Sequence, residues 1–154
     1  MNIISRLRRF IRSVKTVYKN GGIVLANINY CTQPDLLNQK RILITGGSSG
    51  IGFHIAKKAL SCGAHVVITG RNEQKLRDAV NNLSSTRCHY IIWDHSDISI
   101  LSTKLNEVIT LLGDIDVVIN NAGVPPMKFF GHVDEDEWNR IYNTNLKGCY
   151  FLIQ

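Results

Sequence analysis

The stretch Thr45-Gly46-Gly47-Ser48-Ser49-Gly50-Ile51-Gly52 lies between an apolar run, Ile42 to Ile44, and a helix-like segment that opens at Phe53. A strand, a glycine-rich turn and a helix in that order make a phosphate-binding turn. Gly46, Gly50 and Gly52 allow backbone angles or close approaches that a side chain would block. The helix that follows offers free N–H groups and the positive end of its dipole to a pyrophosphate. The spacing differs from the dinucleotide fingerprint G-x-G-x-x-G, because three residues separate Gly46 from Gly50 and one separates Gly50 from Gly52. The turn also lacks the Lys-Ser/Thr ending of a P-loop, so no residue is placed to grip a terminal phosphate or its magnesium. A nucleotide cofactor is therefore the first expectation, and an NTPase is not.

Beyond Lys40 the apolar runs alternate with amphipathic segments, the rhythm of a parallel sheet covered by helices. Strands are expected at Ile42 to Thr45, His65 to Thr69, His89 to Trp93 and Val117 to Asn120. Helices are expected at Gly50 to Cys62, Glu73 to Leu83, Ile98 to Leu112 and Asp134 to Tyr142, with a helix-like run from Leu146 to Gln154. In the third helix Ile100, Leu101, Leu105, Val108 and Leu112 form one apolar stripe. Asp134 with Glu137 reads as a capping box, which explains that acidic cluster as capping and solubility without a catalytic role.

Directly after the fourth strand stands Asn120-Asn121-Ala122-Gly123, and further on Asn145 in the segment NTNLKG follows Trp138 in EDEWNRIYNTNL. Together with TGGSSGIG these motifs resemble the short-chain dehydrogenase/reductase family, over residues 40 to 154. The resemblance implies an α/β fold, a Rossmann-type doubly wound parallel sheet with about four strands present, and nicotinamide-dependent hydride transfer to or from a small-molecule carbonyl or alcohol. The related epimerase/dehydratase branch has glycines at G-x-x-G-x-x-G spacing, unlike Gly46, Gly50 and Gly52.

Carried over residue by residue, the resemblance assigns cofactor contacts to Gly46, Ser48, Ser49, Gly50, Ile51 and Gly52 in the turn, facing the phosphates and adenosine ribose. Asp94, at the end of the third strand, would accept a hydrogen bond from the adenine amino group. The backbone of Asn121, Ala122 and Gly123 would flank the cofactor's ribose, while Asn120 would tie adjacent strands through its amide. At the end of the second strand, Gly70 stands where an acid would select NAD(H), and Arg71 follows it with a planar fork suited to a 2′-phosphate. NADP(H), bound as NADPH for reduction, is thus favoured over NAD(H); a solvated strand end is the other reading of Arg71.

The family supplies a tyrosine to protonate the developing alkoxide, a lysine four residues on to lower its pKa, and a serine for the substrate oxygen. Asn145 would join this catalytic group by holding a helix distortion and a relaying water. No Tyr-x-x-x-Lys occurs: Tyr90 leads to Asp94, Tyr142 to Leu146 and Tyr150 to Gln154. The expectation is a fragment that carries the cofactor half of a longer reductase and does not turn over alone. A non-catalytic NADP-binding module or a membrane-associated adaptor is the alternative. Homo-oligomers are expected of the full-length form.

The net charge of +6 is unevenly placed. Residues 1 to 41 hold Arg6, Arg8, Arg9, Arg12, Lys15, Lys19, Lys40 and Arg41 against Asp35 alone, and the remainder is nearly balanced. A basic nucleic-acid groove on the body is not supported. Residues 1 to 40 read as a basic amphipathic arm and connector, and 41 to 154 as the NAD(P)-binding domain. Ile3, Leu7, Phe10, Ile11, Val14, Val17 and Tyr18 recur at three- and four-residue steps in the arm, ending near Asn20 to Gly22. Peripheral contact with an anionic membrane, packing on the domain or a partner, and organellar targeting are its three readings. Cys31, Cys62, Cys88 and Cys149 show no metal-ligand spacing, so no metal site is expected, and reduced thiols fit a cytoplasmic setting. The loop Val124 to Val133, with Met127, Phe129 and Phe130, is a candidate apolar entrance.

Overall fold

The computed structural model describes residues 35 to 154, together with Ile11 and Lys15, which are helical. The rest of the expected amphipathic arm lies outside the described residues. Four strands form one sheet: β1 Arg41–Ile44, β2 His65–Gly70, β3 Cys88–Ile92 and β4 Val117–Ile119. They are all parallel, in the order β3-β2-β1-β4, with Ile44 level with Ile68 on one side and with Ile119 on the other. The helices are α1 Gly50–Ser61, α2 Glu73–Leu83, α3 Leu101–Leu112, α4 Glu135–Tyr142 and α5 Gly148–Ile153. A parallel sheet needs covered faces, and alternation along each strand supplies them. Ile42, Ile44, Val66, Ile68 and Cys88 pack on one face with Ala56, Ala59 and Leu60 of α1 and Leu76 and Ala79 of α2. Leu43, Val67, Ile91 and Trp93 pack on the other with Val108 of α3 and Leu152 of α5. This is the expected doubly wound arrangement, and the stripe Ile100, Leu101, Leu105, Val108 and Leu112 lies in that second core.

The segment 35–40, grouped with the arm on sequence grounds, is bound to the body. Leu37 N donates to Cys62 O (2.8 Å), Gln39 N to Gly63 O (3.3 Å) and His65 N to Lys40 O (2.8 Å). Residues Thr32–Gln154 accordingly form one compact unit. At the amino-terminal ends of the strands, Arg41 holds Asp116 through Nε (2.9 Å), Nη2 (3.0 Å) and its backbone N (2.8 Å), joining β1 to β4.

Three local expectations need correction. The third helix begins with a 3-10 turn, Ile98–Ile100, because Asp97 caps Ser99 N at 2.9 Å before the α-helical ladder starts. The capping box is half made: Asp134 accepts from Glu137 N (3.0 Å), but the Glu137 carboxylate does not return to Asp134. Glu137 is instead buried, and accepts from Met127 N (2.5 Å) and Arg140 Nε (2.8 Å), while Arg140 Nη2 reaches Pro125 O (2.7 Å). Those acids therefore do more than cap and solubilise, since one of them staples the loop 125–127 to α4. Finally, the helix-like run expected from Leu146 begins inside a π-helical turn, Asn143–Lys147, and α5 starts only at Gly148.

Candidate functional site

In an open parallel sheet a ligand crevice forms outside the carboxyl ends of the strands, where the strand order reverses. Here the reversal lies at β1, between β2 and β4. A cleft of about 360 Å³ occupies that place. It is lined by residues from all four strand ends: Gly46, Ser48 and Ser49 after β1, Gly70 and Arg71 after β2, Asp94 after β3, and Asn121, Ala122 and Gly123 after β4.

The glycine turn is built for close approach. Gly46 (φ +65°) and Gly50 (φ +55°) are left-handed, a conformation that costs an L side chain energy. A Cβ on Gly46 would lie 2.8 Å from Ala122 Cα, and one on Gly52 would collide with Asn121 Nδ2 and lie 2.6 Å from Gly46 O. Gly47, not singled out in the sequence, has a similar need, because a Cβ there would lie 2.6 Å from the Ile68 side chain. Ser49 is the N-cap of α1 but makes no side-chain cap bond, so its hydroxyl does not occupy the helix's first N–H groups. This geometry fits a pyrophosphate at the helix end. Gly50 and Ile51 line a separate apolar hollow with Ile42, Ile55 and Ile119, and Gly52 is buried beneath the turn.

Thr45 joins the two motifs. It is 1% exposed, and its Oγ1 accepts from Asn121 N (3.0 Å) and Ala122 N (2.9 Å) while lying 3.4 Å from Ile119 O. Asn121 Nδ2 donates in turn to Thr45 O (2.9 Å) and Gly46 O (3.0 Å). The strand-tying amide is therefore Asn121, not Asn120, which is exposed at the end of β4. The reason is alternation: successive residues point to opposite faces, and only the second asparagine reaches back across β1. The backbone N–H groups of Asn121 and Ala122 are occupied by Thr45, leaving Gly123 exposed at the rim.

Asn145 sits in the π turn, behind Gly123 and Val124. Its Oδ1 accepts from Val124 N (2.8 Å) and its Nδ2 donates to Val124 O (2.9 Å), a two-point clamp on the segment after the NNAG motif. The expected helix distortion is thus present at this residue. Arg71 and Lys75 line the opposite end of the cleft with Asn72, whose Oδ1 caps α2 through Lys75 N at 2.9 Å. Arg77 on the same helix is paired with Glu73 (2.7 Å), whereas no ion pair engages Arg71 or Lys75 among the described residues. Asp94 Oδ1 accepts from Ser96 N (3.0 Å) and Ser96 Oγ (2.7 Å), which fixes the carboxylate at the cleft wall.

Residues 40–154 match the family model described as short chain dehydrogenase. The chain belongs to the short-chain dehydrogenase/reductase family. It is 36% identical over 118 residues to the 3-oxoacyl-[acyl-carrier-protein] reductase FabG of Chlamydia muridarum, covering 75% of this chain and 48% of that protein. It is 37% identical over 91 residues to Dehydrogenase/reductase SDR family member 7B of Xenopus laevis, covering 54% of this chain and 28% of that protein. Among solved structures, a 3-ketoacyl-(acyl-carrier-protein) reductase from Brucella melitensis complexed with NADH superposes with a TM-score of 0.71 at 28% identity, over 76% of this chain and 48% of that one. A short chain dehydrogenase from Mycobacterium smegmatis gives 0.72 at 27% identity, over 77% and 51%. The chain spans about half the length, or less, of these family members.

Cleft residues that the sequence did not point to are Asn72, Lys75, Trp93, His95 and Thr144, while Val124, the first residue of the expected entrance loop, does line the cleft. Lys75 lies four residues after Arg71, in the first turn of a helix whose start was legible, and that spacing was its available signal. His95 follows Asp94 in the same turn. Thr144 gave none, because only the π turn brings that position to the cleft. The loop residues Met127, Phe129 and Phe130 are 80, 88 and 103% exposed and lie outside the cleft lining.

Proposed function

We propose that this chain is the NADP(H)-binding half of a reductase of its family, which moves hydride between nicotinamide and a small-molecule carbonyl or alcohol. The observation that carries the reading is the pairing of an N-terminus without a side-chain cap at α1 with two cations, Arg71 and Lys75, along one cleft. The first suits the pyrophosphate and the second a 2′-phosphate, for which Arg offers a bidentate fork and Lys a point charge. Gly70 contributes no carboxylate to repel that phosphate. Bound nicotinamide would supply or accept the hydride; the chain's own residues bind, orient and shield it. Asn121 and Thr45 fix the turn against β4, and Asn145 holds the segment beside it through Val124; the family resemblance would give Asn145 the further task of holding the helix distortion and a relaying water.

Dissociation constants for NADPH and NADH test the cofactor choice. NADPH should bind at least tenfold more tightly, and Arg71→Ala should remove most of the difference; equal affinities would refute it. A second reading is a module that binds cofactor without turnover. NADPH binding without NADPH oxidation by residues 1 to 154, and oxidation once a tyrosine- and lysine-bearing continuation is supplied, separates the reductase half from that module.

Homo-oligomer formation is supported by the exposed run Trp138, Tyr142, Leu146, Tyr150 and Ile153 on consecutive turns. No helix of the described residues is long and apolar enough to cross a membrane. A cytoplasmic protein touching anionic membranes through residues 1 to 20 is the corresponding proposal, to be tested by salt-sensitive co-sedimentation with anionic vesicles.

A further inference from the structure

The loop between the NNAG segment and α4 is tied down at its base and bare at its tip. Met127 N donates to Glu137, Arg140 Nη2 donates to Pro125 O at 2.7 Å, and Lys128 pairs with Asp134. His132 N closes a turn on Phe129 O at 3.0 Å. Between these ties Met127, Phe129 and Phe130 stand almost wholly in water, with Val133 exposed beside them. A braced loop cannot fold such side chains inward, and an apolar patch held in water marks a surface that something else covers.

Charge narrows what that is. Both cations of this surface are engaged locally, Lys128 by Asp134 and Arg140 by Glu137. Glu135 and Asp136, exposed in the first turn of α4, make no hydrogen bond or ion pair among the described residues and are left uncompensated. Apolar side chains beside free carboxylates suit a segment that is apolar on one face and basic on its flank, and they disfavour an anionic bilayer. The sequence itself contains such a segment. Ile3, Leu7, Phe10, Val14 and Val17 recur at three- and four-residue steps, and Arg8, Arg12 and Lys15 form a parallel row on one flank, with no acid before Asp35. Of the positions described there, Ile11 and Lys15 are helical and Ile11 leaves half of its surface in water.

We propose that the loop 127–133 and the first turn of α4 form a docking surface for residues 3–18 of a second copy of this chain. The apolar stripe would cover Met127, Phe129, Phe130 and Val133, and the row of Arg8, Arg12 and Lys15 of the partner subunit would meet Glu135 and Asp136. Two copies that each give a segment and receive one close into a dimer. The proposal is independent of the cofactor reading, which concerns the cleft.

The test is a charge swap read by analytical ultracentrifugation. One variant carries Glu135→Lys and Asp136→Lys, and the other carries Arg8→Glu, Arg12→Glu and Lys15→Glu. The unaltered chain should dimerise and should dissociate as salt is raised from about 0.1 to about 0.5 M. Each variant alone sets like charges against each other and should stay monomeric, whereas an equal mixture should form heterodimers, a rescue that misfolded chains could not give. Phe129→Ser with Phe130→Ser should weaken the unaltered dimer at least tenfold. In a mixture of isotopically light and heavy unaltered chains, carbodiimide should link Lys15 or Lys19 of one copy to Glu135 or Asp136 of the other. The absence of such links between copies overturns the proposal without reference to any variant. If both charge variants dimerise alone and mixing adds nothing, assembly runs through another face, such as Trp138 to Ile153, and the proposal fails. A monomeric unaltered chain that co-sediments with anionic vesicles also overturns it, and assigns the segment to lipid instead.

Discussion

Replacing Thr45 with valine tests whether one buried hydroxyl holds the glycine turn and the NNAG segment together. Valine keeps the shape of threonine and removes the oxygen, so packing is nearly unchanged while two backbone donors, Asn121 N and Ala122 N, lose their acceptor. A buried donor left unpaired costs about 1–3 kcal/mol. Both residues are half-buried, which puts each near the lower end of that range and the pair at about 2–3 kcal/mol. Thr45→Ser is the control, because it keeps the hydroxyl and deletes one methyl group, worth about 1 kcal/mol. Urea unfolding reads the difference. With a slope of about 1–3 kcal/mol per molar, the valine midpoint should fall by about 1–2 M and the serine midpoint by less than half of that. Hydrogen exchange gives an independent readout, since the amides of Asn121 and Ala122 should lose protection in Thr45→Val and keep it in Thr45→Ser. If valine proves no more costly than serine and both amides stay protected, Thr45 does not organise the cleft, and its hydrogen bonds are incidental to strand packing.

The remaining predictions concern other joints of the same cleft. Glu137 has its pKa held down to about 2, first by the hydrogen bonds from Arg140 and then by Met127 N. A carboxylate with a depressed folded pKa binds fewer protons folded than unfolded, so its contribution is present above about pH 4.5 and is lost as pH falls towards 2. Glu137→Gln should flatten acid-induced unfolding in that window, and Glu137→Ala should in addition release the Met127 amide to exchange; an unchanged acid profile would contradict the assignment. Asn145→Ala removes both bonds to Val124 and should raise exchange at the Val124 amide at least tenfold, with a stability loss of only about 1 kcal/mol because Asn145 is exposed. Protection of Val124 as strong as before would show that the clamp is dispensable. Gly50→Ala should cost about 1–2 kcal/mol through its left-handed backbone, with open space around the new methyl. Gly52→Ala meets Asn121 and Gly46 O, and should cost about 1–3 kcal/mol as well as weakening NADPH binding more than Gly50→Ala does; the reverse order of affinities would count against the close-approach account.

The fold was legible because its signals are local. Each strand is a short apolar run closed by a turn residue, and β1, β2, β3 and β4 fall within one residue of the bounds expected from the sequence. The α3 stripe was readable for the same reason, since a helix repeats its core face every three or four residues. The 3-10 start at Ile98 and the π turn at Asn143 were not, because both interrupt a periodic pattern without changing its composition. Asp97 can cap from a helix or a 3-10 turn alike, and Asn143 to Lys147 carries no proline or adjacent glycine pair to mark a register change. What stabilises the π turn is Asn145 reaching Val124, a partner 21 residues away.

The same division runs through the cleft. Gly46, Arg71, Asp94 and Asn121 each end or follow one strand, so reading one strand at a time finds them. Much of the polar frame around them is paired across strands: Thr45 with Asn121 over 76 residues, Thr69 with His95 over 26, and Asn145 with Val124 over 21. None of these pairs leaves a mark within a local window, and the error over Asn120 and Asn121 arose there, because choosing between adjacent asparagines requires knowing which one faces β1. A parallel sheet makes such pairs unavoidable. Its strand ends come together only after each crossover helix is in place, so the polar atoms at the crevice meet partners set by topology rather than by sequence distance. It follows that variants at Thr45, Thr69 and Asn145 should disturb cofactor binding more than their own exposure to the cleft suggests. Arg71 and Lys75, which answer to no cross-strand partner among the described residues, should alter NADPH affinity while leaving the unfolding free energy within about 0.5 kcal/mol of the unaltered chain.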